Sequence, residues 1–154
     1  MREIVTLLGE QLEPFIKDDI VRPNMSAASR VQPGRKSYAL RDGSDVLAII
    51  CVAYGHSLPT TEDELDSLGL SSTSNDFYII PYTLWSYSPG AGRELINGLL
   101  DIIKVDYSDL NRSFWPRVIT MSPKTEMAKN FHLKNGAKLI SENAESNNFE
   151  YLIR

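Results

Sequence analysis

The sequence predicts a single α/β domain in which a mixed sheet carries helices on both of its faces. The apolar segment 46–54 has the pattern of a central strand that is covered on both sides. Two amphipathic patterns, over 92–104 and 123–136, predict helices that lie between strand-like segments. The chain has 154 residues, the usual size of one domain, so we assign residues 1–154 to one folding unit.

The N-terminal part of the chain predicts a helix and then a loop. Apolar residues recur at helical spacing over 2–19, where Pro14 is expected to kink the helix or to divide it into two short pieces. Residues 21–34 are rich in proline, serine, asparagine and glycine, which is typical of a loop, with one short turn near Ala27. We therefore expect a loop that is free to move between the first helix and the first strand.

A hairpin is predicted after this loop, at the dipeptide Asp42-Gly43. The segments on its two sides, 36–41 and 45–54, both have strand-like patterns. Asp-Gly supplies the positive φ angles that a two-residue turn needs, so these two strands are expected to pair antiparallel.

The next two segments connect the hairpin to the first core helix. Residues 56–75 are polar and contain an acidic cluster, which predicts a surface excursion with a short solvated helix capped by Thr61. Residues 76–87 are rich in aromatic and β-branched side chains and predict a strand. Pro81 cannot donate a hydrogen bond to a neighbouring strand, so we expect a bulge there.

The C-terminal half alternates helices and strands. It contains a helix over 92–104, a strand over 115–121, a helix that Pro123 opens and Asn135-Gly136 ends, and closing strands over 138–140 and 148–153. Together with the hairpin, these strands are expected to complete the mixed sheet.

Composition excludes several classes of function. The net charge is −4 and the longest basic run is the pair Arg35-Lys36, so we expect no nucleic-acid partner. Cys51 is the sole cysteine and there are two histidines, so neither a disulfide nor a metal site is expected. No apolar stretch approaches the roughly 20 residues that span a bilayer, and the start lacks a signal-peptide pattern. We therefore expect no membrane association and a cytoplasmic location.

The segment between the strand at 76–87 and the first core helix has the features of an anion site. It contains Gly90, Ala91, Gly92 and Arg93, and small residues here let backbone amides approach a ligand closely. Their N–H groups lie at the positive end of the helix dipole, where a pyrophosphate can be bound. A tight turn without a ligand is the alternative interpretation of this pattern alone.

The order of the elements and two motifs resemble those of GNAT N-acetyltransferases over residues 36–151. In that family a strand ends in Gln/Arg-x-x-Gly-x-Gly/Ala, and both glycine positions are matched by Tyr87-Ser88-Pro89-Gly90-Ala91-Gly92. A later family helix has the form Asn-x-x-Ala-x-x-Phe/Leu-Tyr-x-x-x-Gly-Phe, and the corresponding segment is Thr125-x-x-Ala128-x-x-Phe131-His132-x-x-x-Gly136-Ala137. The bulge expected at Pro81 matches the one that splays the family's strand from its parallel neighbour.

The resemblance implies an enzyme that uses acetyl-coenzyme A (acetyl-CoA) as a co-substrate and transfers its acetyl group directly to an amine. The acceptor is expected to be a small molecule or a protein that carries the amine. The loop that binds the coenzyme pyrophosphate in the family corresponds to Gly90, Ala91, Gly92 and Arg93.

Four further residues receive roles from the resemblance. Leu84 and Trp85 correspond to the strand segment beside the thioester, where a backbone amide donates to its carbonyl oxygen. Thr125 stands where the family's Asn contacts the pantetheine arm. His132 stands where the family's Tyr protonates the departing thiolate, and a histidine can serve as a general acid near neutral pH.

Two departures from the family pattern keep a second interpretation open. Tyr87 replaces the usual Gln or Arg of the first motif, and His132 replaces the usual Tyr of the second. The alternative is a GNAT-shaped protein without turnover that acts as a binding or regulatory module, and a third is transfer of a longer acyl group. The sequence is compatible with a homodimer. Ser122 is interpreted as part of a helix start, because the sequence places no His and Asp beside it as a serine hydrolase would need.

Overall fold

The computed structural model describes residues 1–68 and 77–154. The strands in these residues form one sheet in the order β1-β2-β3-β4-β5-β7-β6. They are β1 (Arg2–Thr6), β2 (Arg35–Asp42), β3 (Asp45–Gly55), β4 (Tyr78–Ser86), β5 (Arg117–Ile119), β6 (Lys138–Glu142) and β7 (Asn147–Tyr151). Neighbouring strands pair antiparallel except β4 and β5, which run parallel. The predicted mixed α/β sheet is confirmed.

Helices cover both faces of the sheet. The α-helices are α1 (Gly9–Leu12), α2 (Glu62–Asp66), α3 (Ala91–Asp106) and α4 (Glu126–Lys134), and the 3-10 turns are Glu13–Asp18, Ala28–Arg30 and Arg112–Phe114. On one face, Leu95 of α3 and Phe131 of α4 pack with inward side chains of β2, β3 and β7. On the other face, Leu12 of α1 and Leu65 of α2 pack with the strand side chains that point away from α3. The prediction of helices on both faces is confirmed.

The prediction of a helix over 2–19 is wrong for its first part. Residues Arg2–Thr6 form an edge strand antiparallel to β2, and the helical residues begin only at Gly9. Ile4 and Val5 are adjacent in the chain and pack into the two opposite cores. An apolar pattern of this kind fits a strand that contacts both cores as well as it fits a helix. The division near Pro14 is confirmed, because α1 ends at Leu12 and a 3-10 turn follows.

The edge strand is covered by α3 at Gly98. A Cβ atom at this position would lie 2.1 Å from Cδ1 of Ile4, so a larger residue would require the Ile4 side chain to move. A glycine in a helix interior costs about 1 kcal/mol relative to alanine. The close approach therefore gives a physical reason for its presence.

The remaining elements follow the sequence closely. The hairpin is confirmed, with Gly43 at φ 62° and Asp42 paired with Asp45. The predicted short helix before β4 is α2, and the Thr61 hydroxyl caps it by accepting from Glu64 N at 3.1 Å. The predicted excursion extends beyond α2 to residues that lie outside those described. The strand predicted over 115–121 is shorter than expected, since β5 ends at Ile119.

Two features are absent from the described residues, a membrane-spanning helix and a cluster of metal ligands. None of their helices has the length and apolar character that crossing a lipid bilayer requires. Within the same part of the chain, no three His, Cys, Asp or Glu side chains are grouped so that they could hold a metal ion.

Candidate functional site

The site begins at a bulge in β4. Along the β3–β4 pair, Val52 lies opposite Pro81 and Cys51 lies opposite Thr83, which leaves Tyr82 as the extra residue. The predicted interruption at Pro81 is therefore a β-bulge. A bulge of this kind changes which neighbour the following backbone N–H groups face.

Beyond the bulge, β4 separates from its parallel neighbour. The two strands are in register at Tyr78 with Arg117 and at Ile79 with Val118, and Met121 N then donates to Pro81 O at 3.1 Å. Among the described residues, no later backbone hydrogen bond joins β4 to the segment that follows Met121. The backbone pairing of the two strands therefore ends at Pro81, and we call the region between the end of β4 and residues 122–125 the gap.

The backbone of Leu84 faces this gap. Tyr87 N donates to Leu47 O at 2.8 Å, so odd-numbered residues after the bulge point their N–H groups toward β3. Leu84 lies on the alternate phase, and its N–H group points to the side where the gap is. Its side chain packs on the face that carries α3.

Trp85 is separated from Leu84 by the same alternation. Its backbone pairs with Ile49 of β3, and its side chain packs on the face that carries α1. There Trp85 Nε1 donates to the Tyr87 hydroxyl at 2.9 Å, and that hydroxyl donates to the Asp18 carboxylate at 2.7 Å. Of the two residues predicted to lie beside a thioester, only Leu84 directs an amide into the gap.

The turn from β4 to α3 presents free backbone amides. Gly90 has φ 79°, a left-handed conformation that favours glycine, and it is the N-cap of α3. Ala91 N donates to Ser88 O at 3.1 Å, so this amide is used within the turn. Among the described residues, the amides of Gly90, Gly92 and Arg93 have no such acceptor. These three amides, at the positive end of a long helix, fit an anion such as a pyrophosphate.

Two predicted residues come from the start and the middle of α4. Thr125 is the N-cap of this helix, and its hydroxyl accepts from Ala128 N at 3.2 Å. Its hydroxyl hydrogen remains free to donate to a ligand in the gap. His132, one residue after the core side chain Phe131, is 8% exposed and lies inside the fold.

His132 is part of a buried chain of hydrogen bonds. Its Nε2 atom lies 3.0 Å from Ser122 Oγ, and its Nδ1 atom lies 2.7 Å from the Tyr151 hydroxyl. Ser122 Oγ also lies 2.7 Å from Thr120 Oγ1. Burial lowers the pKa of His132 to about 4, so the ring is neutral at pH 7. Ser122, and not His132, lines the adjoining pocket.

That pocket lies on the face of the sheet that carries α1 and α2. It has a volume of about 440 Å³ and is lined by Val21, Arg22, Glu62, Asp63, Met121, Ser122, Pro123, Glu145 and Ser146. Three carboxylates and one guanidinium line it, and the Arg22 guanidinium lies 3.0 Å from the Glu62 carboxylate. The pocket is therefore negatively charged and reaches the gap through the segment that follows β5. We call it the acidic pocket.

A second groove lies between α3 and α4. Its volume is about 410 Å³, and its charged side chains are Arg93, Asp101, Lys134 and Arg154. Arg93 also contributes one of the free amides at the start of α3, so the groove adjoins the turn. Its excess of positive charge fits a further anionic group.

Comparison with known proteins shows similarity in structure alone. No family model matches the sequence, and no curated protein matches it. Solved structures that are similar include NAA60 from Arabidopsis thaliana in complex with a bisubstrate analogue, with a TM-score of 0.64 and 13% identity over 98% of this chain and 97% of that one. The AtaTR complex bound with acetyl-CoA has a TM-score of 0.65 and 10% identity over 97% of this chain and 93% of that one. The chain has the GNAT fold.

Other proteins with this fold differ in size and in what they bind. Malonyl-CoA decarboxylase from Agrobacterium vitis has a TM-score of 0.64 and 18% identity over 90% of this chain, and the chain spans only 38% of that protein. A KacTA–DNA complex is also among the similar structures. Proteins with this fold therefore bind different partners, and the partner of this chain depends on its own surface residues.

The structure places Leu84 and Phe131 against Gly92 at the turn before α3. Thr125 begins α4, and Trp85 lies on the other face of the sheet. Sequence patterns missed Ser122 and Tyr151, because their contacts with His132 join three separate elements. The spacing Ser122-x9-His132 carries no periodic signal, since a loop separates the serine from the helix.

Proposed function

We propose that this protein is an N-acetyltransferase that transfers an acetyl group from acetyl-CoA to an amine. The free amides of Gly90, Gly92 and Arg93 beside an open strand gap carry the proposal, because they match the anionic and the extended parts of the coenzyme. Acetyl-CoA and a bisubstrate analogue are bound to two of the similar proteins, which supports the same ligand here.

Residues of this chain fit each part of the coenzyme. The three free amides of the turn would bind the pyrophosphate, and Ala91 would keep the turn closed through its bond to Ser88 O. Thr125 would contact the pantetheine arm in the gap. Arg93, Lys134 and Arg154, in the groove between α3 and α4, offer cations for the remaining phosphate. Gly92 is buried below the turn, where a larger side chain would meet Phe131.

The reacting end of the site has two donors. Bound acetyl-CoA supplies a thioester that a neutral amine can attack directly. The Leu84 amide faces the gap and would donate to the carbonyl oxygen as negative charge develops there. On the other side, the Ser122 hydroxyl would give its proton to the departing sulfur and regain one from the pocket carboxylate that took the proton of the amine, while the neutral His132 would orient that hydroxyl through their 3.0 Å contact. His132 thus acts through Ser122, because its own ring is buried and neutral.

The acidic pocket is the proposed binding site of the amine. Its carboxylates of Glu62, Asp63 and Glu145 would attract a cationic amine, and one of them would accept the proton that must leave before attack. The volume of about 440 Å³ suits a small molecule or the end of a peptide chain. The sequence favoured a solvated surface for Glu62 and Asp63 over a role in attracting an amine, and both side chains line this pocket.

The first prediction tests the coenzyme site by thermal unfolding. A ligand at about 100 times its Kd stabilises the native state by about 2.7 kcal/mol, which raises the Tm of a domain of this size by roughly 5–10 °C. We expect a shift of this size with saturating acetyl-CoA. Gly92→Glu should lose it, because the longer side chain would meet Phe131 and Leu84 beneath the turn and displace the amides that bind the pyrophosphate.

Gly92→Ala is the matched control for this experiment. Its methyl group would lie 3.4 Å from Phe131 Cε1, an ordinary contact, so the variant should fold and keep the shift. Absence of any shift in the wild-type protein would exclude the acetyl-CoA proposal. A normal shift without release of coenzyme thiol in the presence of any amine would instead favour the binding module without turnover.

The second prediction concerns the proton donor. We expect Ser122→Ala and His132→Ala each to lower turnover by roughly 10²-fold, the effect of losing a proton donor. The Kd for acetyl-CoA should change little, because neither side chain lies at the turn before α3. Turnover is measured as release of the coenzyme thiol in the presence of a free amine, together with formation of the acetylated amine. Because the two residues act through one hydrogen bond, the double variant should be no slower than either single variant. Additive losses would separate their roles.

A further inference from the structure

A fully buried ion pair lies beneath the β4 bulge, on the face that carries α1. Arg30 Nη1 lies 2.7 Å from Asp19 Oδ2, and the two side chains are 0% and 1% exposed. Burial alone would lower the pKa of Arg30, but the hydrogen bond to Asp19 and the charge there raise it above its usual value. Arg30 is therefore charged inside the fold, and Asp19 is its ion-pair partner.

The ion pair organises the loop between the N-terminal helical turns and β2. Asp19 Oδ1 accepts from Val21 N at 3.0 Å and from Arg22 N at 3.1 Å. Arg30 Nη2 donates to Arg22 O at 2.5 Å and to Met25 O at 3.1 Å. The backbone of Arg22 is thus held on its N–H side by Asp19 and on its carbonyl side by Arg30.

The same loop contacts both residues of the bulge. Thr83 Oγ1 donates to Asp19 Oδ1 at 3.0 Å, and Arg22 Nη1 donates to Tyr82 O. A bulge replaces one pair of ladder contacts with an unpaired residue, so its backbone direction needs support from elsewhere. Here that support comes from Asp19 and Arg22. The next residue is Leu84, whose amide faces the gap.

Arg22 extends this network to the acidic pocket. Its guanidinium lies 3.0 Å from the Glu62 carboxylate, and the Arg22 side chain is 6% exposed. One end of the network therefore fixes a pocket carboxylate, and the other fixes the strand that precedes Leu84. The two sides of the proposed reaction, amine and thioester, are tied to one buried carboxylate.

Stability alone does not explain such a pair. Replacing a buried ion pair with apolar side chains of similar volume is often neutral or stabilising, because both charges lose their hydration. We propose that Asp19 is a positioning residue that holds the Leu84 amide toward the gap through Thr83, an inference that rests on the proposed acetyl transfer. Arg30 holds Asp19 in place through their 2.7 Å contact.

Thr83 offers the sharpest test, because its hydroxyl can be removed without touching the ion pair. Thr83→Val keeps the volume and the β-branch but loses the bond to Asp19, whereas Thr83→Ser keeps the hydroxyl. The measurement is the infrared carbonyl stretch of acetyl-CoA labelled with ¹³C at the thioester carbon, bound to each protein. A hydrogen bond from the Leu84 amide lowers this frequency relative to the unbonded carbonyl.

We expect the wild-type protein and Thr83→Ser to show the same lowered frequency, and Thr83→Val to lose most of it. The Kd for acetyl-CoA should stay within about twofold in all three, since the amides before α3 are untouched. Equal frequencies in Thr83→Val and the wild-type protein would overturn the proposal. If Thr83→Ser loses the lowered frequency as Thr83→Val does, the proposal is also overturned. In that case any change of side chain at this position has the effect, and the hydroxyl is not its cause.

Failure of the proposed function gives a different result. In that case the wild-type protein does not bind acetyl-CoA, and crystal structures of the ligand-free wild-type protein and of Thr83→Val decide the point. A Leu84 amide turned away from the gap in Thr83→Val supports the positioning role. An unchanged bulge overturns it.

Discussion

Replacing Asp19 with alanine is expected to lower the free energy of unfolding by about 3–5 kcal/mol, because it leaves the Arg30 guanidinium charged and unpaired inside the fold. The loss includes three further hydrogen bonds to the same carboxylate, from two backbone amides and the Thr83 hydroxyl. Urea unfolding followed by circular dichroism measures the change. It is the largest effect that we expect from a single substitution outside the apolar core.

An exposed ion pair supplies the control for this prediction. Arg41 and Glu3 join β2 to β1 at 3.0 Å, with side chains 40% and 52% exposed. Pairs of this kind contribute at most about 1 kcal/mol, so Glu3→Ala should have a small effect. A loss for Asp19→Ala as small as that for Glu3→Ala would mean that water reaches Arg30 in the variant.

The stability of the fold is expected to fall by about 3 kcal/mol between pH 6.5 and pH 4 because of His132. Burial lowers the pKa of this residue from its ordinary value of 6.5 to about 4. In this window the unfolded chain binds a proton at His132 and the folded protein does not. The contribution is therefore complete above pH 6.5 and is lost as the pH falls through the folded pKa of about 4.

Comparison with His132→Gln isolates this contribution from that of the carboxylates. Glutamine is neutral at every pH and retains polar atoms near Ser122 and Tyr151, while all other titrating groups stay the same. The difference in unfolding free energy between the two proteins should change by about 3 kcal/mol across the window. Parallel pH profiles would show that His132 titrates near its ordinary pKa in the folded state, and hence that solvent reaches the ring.

Local patterns in the sequence predicted much of the fold. The apolar β3 segment, the hairpin and the amphipathic α3 are each encoded by neighbouring residues, and the structure contains all three. The two-residue turn of the hairpin lies one residue later than the predicted Asp42-Gly43, at Gly43-Ser44, because Asp42 pairs with Asp45. The N-terminal segment was predicted as a helix because its apolar spacing is ambiguous. Its conversion to a strand depends on contacts with β2 and α3, which are distant in the sequence.

The candidate site divides in the same way. The turn at Gly90 was predictable because a strand, small residues and a helix follow one another in the chain. The Ser122–His132–Tyr151 contacts and the Asp19–Arg30 pair were not, because each joins residues from different elements. Arg30 lies in a polar loop, where an arginine is usually solvated, so local composition gives no sign of its burial.

The gap beside β4 also affects how the sheet transmits force. Strands β1 to β4 are joined by long antiparallel ladders. Strands β5, β7 and β6 form a second antiparallel unit, in which the two β5–β7 pairs are continued by hydrogen bonds of Thr120 and Ser122 to residues of β7. Between these units the parallel register covers only two residue pairs, followed by the bond from Met121 to Pro81 O. The sheet therefore consists of two antiparallel units that are joined by a short parallel pairing. An extended ligand in the gap would lie between the two units like an additional strand, so that the continuity of the sheet there would depend on the ligand.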